Sequence, residues 1–142
     1  EAESEVRALI RSLGLEDRIK LIPWMSRDEL MGRMQACDVL LFPSFRDGGG
    51  AVVVEAMACA KPVVCLDTGG PAFHVQDQWG IKVPPGDPAA VVDGLAAALA
   101  RLAADPALRA RMGRAGRERV LSYYLWDKLG DRLAEIYGEV LS

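Results

Sequence analysis

Short apolar runs rich in β-branched residues alternate with stretches of helical period along this chain. Residues 1–14 place Val6, Leu9, Ile10 and Leu13 on one helical face, with Gly14 as the stop. Residues 18–22 read as a strand ended by Pro23. Ser26 and Glu29 have capping-box spacing at the start of a helix carrying Leu30, Met34 and Cys37. Residues 39–42 form a buried strand, 51–60 a helix, 62–66 the next strand, 67–71 a turn, and 80–83 a short strand closed by Pro84 and Pro85. From Asp87 onward the pattern is almost entirely helical. Asp87 with Pro88 opens the first helix, to Ala104. Asp105-Pro106 restarts a second, to about Leu121. A third covers 123–141, with Trp126, Leu129, Leu133, Ile136, Tyr137 and Val140 on one face.

Strands alternating with helices predict an α/β fold: a Rossmann-like parallel sheet flanked by helices, with a helical C-terminal segment. Loops at the C-terminal ends of parallel strands share one edge of the sheet, where ligands bind. Two such loops are glycine turns. The first, DGGGAVVVE, runs from Asp47 to Glu55 after the strand-like VLLFPS; the second is DTGGP, from Asp67 to Pro71. Both should line one crevice.

Read singly, Asp47-Gly48 fits an ordinary turn and Glu55 a helix-surface carboxylate. Together they ask for more. Glu55 lies among Val52, Val53, Val54 and Ala56, where an ionised carboxylate needs partners. Three successive glycines exceed what a turn requires, and they let the backbone bring several N–H groups to a ligand. A helix start favours an anion, while carboxylates accept from hydroxyls. An anion flanked by hydroxyl-rich groups describes a nucleotide sugar.

The other candidates are weaker. His74, the one histidine, has no neighbouring Ser, Cys or Asp forming a triad, and reads as a packed or loop residue. Trp24, after a strand end, suits either stacking on a base or covering the core; Trp79 and Trp126 read as core. Arg109, Arg111, Arg114, Arg117 and Arg119 spread around one helix, as a solvated helix would have them. No Walker A pattern and no GxGxxG occurs.

A chain of 142 residues that is 51% hydrophobic is one domain with a real core. Its net charge of −3, without a basic block, argues against nucleic acid as the main partner. No apolar stretch is long enough to span a membrane. Cys37, Cys59 and Cys65 form no CxxC pair, so they read as buried, reduced thiols rather than metal ligands. The chain begins at Glu1, which suggests a segment of a longer protein.

The segment FPSFRDGGGAVVVEAMACAKPVVCLDTGG resembles the signature of retaining glycosyltransferases of the GT-B fold, the family called group one or family four. Pro43, Ser44, Asp47, Glu55, Ala56, Met57, Ala58, Pro62, Val63 and Val64 match its frame, and Trp126 sits where the family often has a tryptophan before its last helix. The resemblance implies part of a C-terminal, donor-binding domain, with the acceptor domain and the domain's first strands absent. It implies that Glu55 holds the ribose and that Asp47 binds the hexose and places the anomeric carbon as the catalytic carboxylate. Gly48, Gly49, Gly50, Ala51, Val52, Thr68 and Gly69 would line the donor site. Ile22, Trp24, Arg33 and Met34 would lie near the base. It further implies no metal or cofactor, a UDP- or GDP-linked sugar as donor, an unidentified acceptor in polysaccharide or glycoconjugate synthesis, and a cytoplasmic enzyme peripheral to the membrane.

Three departures from the family pattern stand out. Asp47 replaces a Glu and reaches less far. Ala60 replaces a glycine, read as a change in packing. Gly50 and Ala51 replace larger residues around the sugar. Two rival readings share the scaffold: a non-catalytic nucleotide-binding or assembly module, and a sugar-nucleotide epimerase. By the family's strand order, residues 18–22 would be strand 3 and 39–42 strand 4, with two missing strands between. The chain would then pair them directly, exchange strands with a second copy as a homo-oligomer, or recruit strands from another chain; association between copies is the expected outcome.

Overall fold

The computed structural model of the protein describes residues 2–141, which divide into two compact units with the boundary between Leu30 and Met31. In the first unit, helix α1 (Ala2–Ser12) carries an Arg7–Glu3 ion pair one turn apart. It ends as the sequence predicts. Gly14 is left-handed (φ 64°), its N–H bonds Arg11 O, and the Leu15 N–H bonds Ile10 O, a Schellman closure. Of the expected apolar face only Ile10 is buried; Val6, Leu9 and Leu13 are exposed. Glu1 lies outside the described residues.

Residues 18–22 are not a strand. The Arg18 and Ile19 amides both turn back to Leu15 O, and 19–26 carry no regular structure. A strand exists only by pairing, and the three strands of the sheet do not include this run. Helix α2 (Arg27–Ala36) starts with the predicted capping box: the Ser26 N–H donates to Glu29 Oε2 (2.9 Å), and the Glu29 N–H to Ser26 Oγ (3.4 Å).

In the second unit, β1 (Leu40–Phe42), β2 (Val63–Leu66) and β3 (Gly80–Val83) form a parallel sheet in the order β1-β2-β3. The central strand, VVCL, is buried at all four positions. Alternate side chains feed two cores, one on each face. Val63 and Cys65 pack with Met34, Val53, Ala56, Met57, Val75 and Val120. Val64 and Leu66 pack with Val83, Val91, Ala98, Leu102, Leu108 and Met112. Helix α3 (Ala51–Ala58) links β1 to β2, and α4 (Gly69–His74) links β2 to β3, starting inside the segment read as a turn. Burial pushes the Cys65 thiol up to about 11, against the opposing pull of the Lys82 ammonium. Cys37 and Cys59 are half-buried free thiols.

The helical C-terminal segment follows its caps. Asp87 accepts from the Ala89 and Ala90 amides at the start of α5 (Pro88–Ala104), and Asp105 from the Leu108 amide (2.8 Å) at the start of α6 (Pro106–Tyr123). The arginines of α6 are not simply solvated. Arg109 donates to Leu102 O (2.6 Å) at the end of α5, Arg117 to Ala58 O (2.7 Å) at the end of α3, and Arg119 lies 4.0 Å from the Tyr123 ring centroid. Helix α7 (Trp126–Leu141) buries none of its residues, its apolar face included.

Ala60 corrects one expectation. It is the one non-glycine with positive φ (57°) among the described residues. Its N–H bonds Met57 O and the Lys61 N–H bonds Ala56 O, so it occupies the left-handed position of a Schellman motif. The alanine there is a matter of backbone conformation rather than packing. Ala60→Gly is expected to stabilise the fold by about 1 kcal/mol, the typical left-handed penalty of an L-residue. Urea unfolding of the two proteins measures it; an equal or lower midpoint for the variant would contradict this assignment.

Candidate functional site

The sheet ends where the two glycine turns begin. Val39 to Phe42 delivers the chain to Pro43 and the loop 43–50, and β2 delivers it to Asp67 and Thr68. The turns do more than face one crevice; they bond to each other. The Gly70 N–H donates to Asp47 O (2.8 Å). A Cβ on Gly70 would fall 2.6 Å from Gly48 O and 2.8 Å from Gly49 C, and one on Gly69 would fall 2.5 Å from Asp47 O. The residue types at 69 and 70 are therefore set by the approach of one backbone to another.

Asp47 organises its own loop. Its Oδ1 accepts from the Gly49 N–H (2.9 Å) and the Gly50 N–H (2.5 Å), the side-chain-to-backbone pattern of an Asx turn. These are two of the amides that sequence reading aims at a ligand. Oδ2 takes no such bond among the described residues, so one carboxylate oxygen is committed to the loop and the other is not. The carboxylate is half-buried, Gly48 and Gly49 are exposed, and Gly50 is buried.

Gly50, left-handed at φ 61°, is the N-cap of α3, and its carbonyl takes both the Val53 and Val54 amides. The Ala51 and Val52 amides lie ahead of them, in the part of a helix that has no carbonyl of its own to bond. Helix side chains lean toward the N-terminus, and residues three and four apart share a face. Half-buried Glu55 is thus on the face of Ala51 and Val52.

The remaining candidates fall in different places. Thr68 is the extended N-cap of α4 and Gly69 its first residue, both at the joined turns. Met34 is buried, 5% exposed, inside the core with Val53 and Met57, while Arg33 on α2 is exposed. Ile22 and Trp24 belong to the first unit; Trp24 is 92% exposed, so it does not cover a core there.

Sequence reading took His74 as a packed or loop residue without a catalytic triad. At the end of α4 its Nε2 lies 2.9 Å from Gly49 O and its Nδ1 2.7 Å from the Tyr124 hydroxyl. The Trp79 indole N–H holds its main-chain carbonyl (2.9 Å). These partners stand 25 and 50 positions away, beyond any local spacing rule. Burial raises the Tyr124 phenol above its ordinary range, partly offset by Arg119. No group of three or more metal-ligating side chains comes together among the described residues, and no helix among them is long and apolar enough to cross a membrane.

Known proteins share this fold. The chain is 37% identical over 134 residues to the D-inositol 3-phosphate glycosyltransferase of Streptomyces bingchenggensis (strain BCW-1). That match covers 94% of the chain but 28% of the relative, so the chain spans under a third of the length of this curated relative. The sucrose-phosphate synthase of Thermosynechococcus elongatus superimposes with a TM-score of 0.81 at 31% identity, over 97% of this chain and 34% of that one. Anabaena Alr3699/HepE, solved in complex with UDP, superimposes at 0.76 with 25% identity, over 96% of this chain and 36% of that one. The three-stranded parallel sheet, its flanking helices and the helical C-terminus match the C-terminal domain of GT-B glycosyltransferases. The profile of the family described as "Glycosyl transferases group 1" matches residues 1–119, and with that match the chain belongs to this family.

Proposed function

We propose that the chain is the donor-binding part of a retaining glycosyltransferase that uses a nucleotide diphosphate sugar. The observation that carries the reading is the joined pair of glycine turns leading into the start of α3, a helix that carries Glu55 as its fifth residue. The diphosphate sits at the helix start, where amides and the helix dipole favour an anion. Glu55 accepts from the ribose hydroxyls. Asp47 divides its carboxylate: Oδ1 holds the loop, and Oδ2 accepts from the hexose and places the anomeric carbon. Gly48, Gly49, Gly50, Thr68 and Gly69 form the backbone floor beneath the sugar and diphosphate. As the glycosidic bond breaks, charge gathers on the leaving diphosphate, and the preset amides of Ala51 and Val52 stabilise it without reorganising.

Relatives support this reading. The Streptomyces protein is named a glycosyltransferase, and the Anabaena protein was solved with UDP. The acceptor site and the basic phosphate contacts are assigned to sequence beyond these 142 residues, in keeping with the 28% of the relative that the chain spans.

Glu55→Ala in the full-length protein is expected to weaken UDP or GDP binding by at least about tenfold, because hydrogen bonds to a charged acceptor contribute ~1.5–3 kcal/mol each. Calorimetry with the two nucleotides measures it. Unchanged affinity for whichever nucleotide the wild type binds, with an unchanged unfolding curve, would remove Glu55 from the site.

A further inference from the structure

We propose that His74 is a positioning residue for the glycine loop, holding the Gly49 carbonyl in place through a hydrogen bond from Nε2 while the Tyr124 hydroxyl holds Nδ1. The proposal rests on the donor-site reading for its consequence, but its geometry stands independently.

The direction of the bonds follows from the chemistry of the partners. Gly49 O is a carbonyl and only accepts, so the Nε2 that lies 2.9 Å away carries the proton. In a neutral ring Nδ1 is then an acceptor, and the Tyr124 hydroxyl 2.7 Å away donates to it. Tyr124 sits at the C-cap of α6, its amide bonded to Val120 O, so the donor is held by a packed helix end. The Tyr124 ring meets the His74 ring edge-on at 5.3 Å, and the Phe73 ring meets it at the same centroid distance.

His74 is fixed at three points: its main-chain carbonyl by Trp79, Nδ1 by Tyr124, and Nε2 by Gly49. The ring also lies against Gly50, where an added Cβ would fall 3.0 Å from His74 Cδ2. Gly49 and Gly50 are the two residues whose amides Asp47 Oδ1 collects. The loop is therefore gripped from both directions, its amides by Asp47 and its carbonyl by His74. Gly48 and Gly49 are exposed, and glycine is the residue with most backbone freedom to lose. The chain from the end of α6 to the loop is continuous: Tyr124 hydroxyl, His74 ring, Gly49 carbonyl.

The test separates the two ring nitrogens. In glutamine the terminal amide nitrogen lies as many bonds from Cβ as Nε2 does; in asparagine the terminal atoms correspond to Nδ1. His74→Gln, His74→Asn and Tyr124→Phe are made in the full-length protein, and amide hydrogen exchange is followed by mass spectrometry over the peptide containing residues 47–52. His74→Asn is expected to speed exchange there about tenfold, the equivalent of one lost hydrogen bond. His74→Gln is expected to stay near wild type, and Tyr124→Phe to fall between. Calorimetry with UDP and GDP should show the same order in affinity. A role in packing alone would not rank glutamine above asparagine in this way. Equal acceleration by the Gln and Asn variants, or wild-type exchange in both His74→Asn and Tyr124→Phe, overturns the proposal. If His74→Asn loosens the whole fold, the Gln and Tyr124→Phe pair decides it by the same criteria. The expected exchange pattern in a protein that binds neither nucleotide would uphold His74's role and reject the donor-site reading.

Discussion

Gly113→Ala is expected to lower the stability of the fold by about 3 kcal/mol or more, at the upper end of what overpacking costs. Gly113 lies mid-way along α6, where that helix passes the end of α3. A Cβ there would sit 2.0 Å from Ala60 O and 2.8 Å from Ala60 C. Neither atom is the end of a flexible side chain. Both belong to the left-handed turn that closes α3, and that turn is tied by the Ala60 and Lys61 amides and by the Arg117 guanidinium on Ala58 O. Relief requires α6 to move as a body. The helix carries Leu108 and Met112 into one core and Val120 into the other, and Gly116 brings it against Met57 and Trp79. Displacing it opens space in both. Gly86→Ala, where nothing lies within 4 Å of the added Cβ, is the control. Urea unfolding with equal slopes for the two variants is the measurement; a Gly113→Ala midpoint within experimental error of the control would show that the helices do not meet there.

How much of this was legible in the sequence depends on the range of the interaction. Caps act over two or three residues, and Asp87, Asp105 and the Ser26–Glu29 pair all appear where their spacing puts them. The parallel sheet is legible in the continuous apolar run VVCL, because a strand covered on both faces has no polar positions to spare. The two glycine turns were readable as neighbours from a topological rule about strand ends, though not as directly bonded. Residues 18–22 show the limit of local reading. An apolar run of strand character becomes a strand only if a partner edge is present, and composition does not carry that information. His74 shows the same limit at the site. Its role comes from partners 25 and 50 residues away in the chain. Ala60 was read as packing because periodicity reports side chains, whereas the position is defined by its φ. The faces of α1 and α7 were read correctly as apolar stripes, but a stripe says nothing of what covers it: Val6, Leu9 and Leu13 on the one and all of α7 on the other are left unburied.

Gly70→Ala should spare the cores and disable the site. The added Cβ would meet three backbone atoms of the first turn: Gly48 O at 2.6 Å, and the carbonyl carbons of Gly48 and Gly49 at 2.8 Å. The two turns must then separate by something on the order of an ångström, since contacts that short do not occur between real Cβ atoms and backbone. Separation strains or breaks the Gly70 N–H bond to Asp47 O and shifts the Gly48–Gly50 backbone, on which the Asp47 carboxylate and the start of α3 both depend. The cores lie on the faces of the sheet rather than at this edge, so global stability should change far less than in Gly113→Ala. A misplacement of that size in a preorganised site costs roughly a hundredfold in rate. In the proposed enzyme kcat/KM for sugar transfer should fall by about that factor, with UDP or GDP affinity falling alongside because the diphosphate amides move too. Hydrogen exchange over residues 47–52 should therefore be faster in Gly70→Ala than in the wild type. Wild-type exchange and wild-type nucleotide affinity in Gly70→Ala would mean that the junction of the two turns is not what shapes the site.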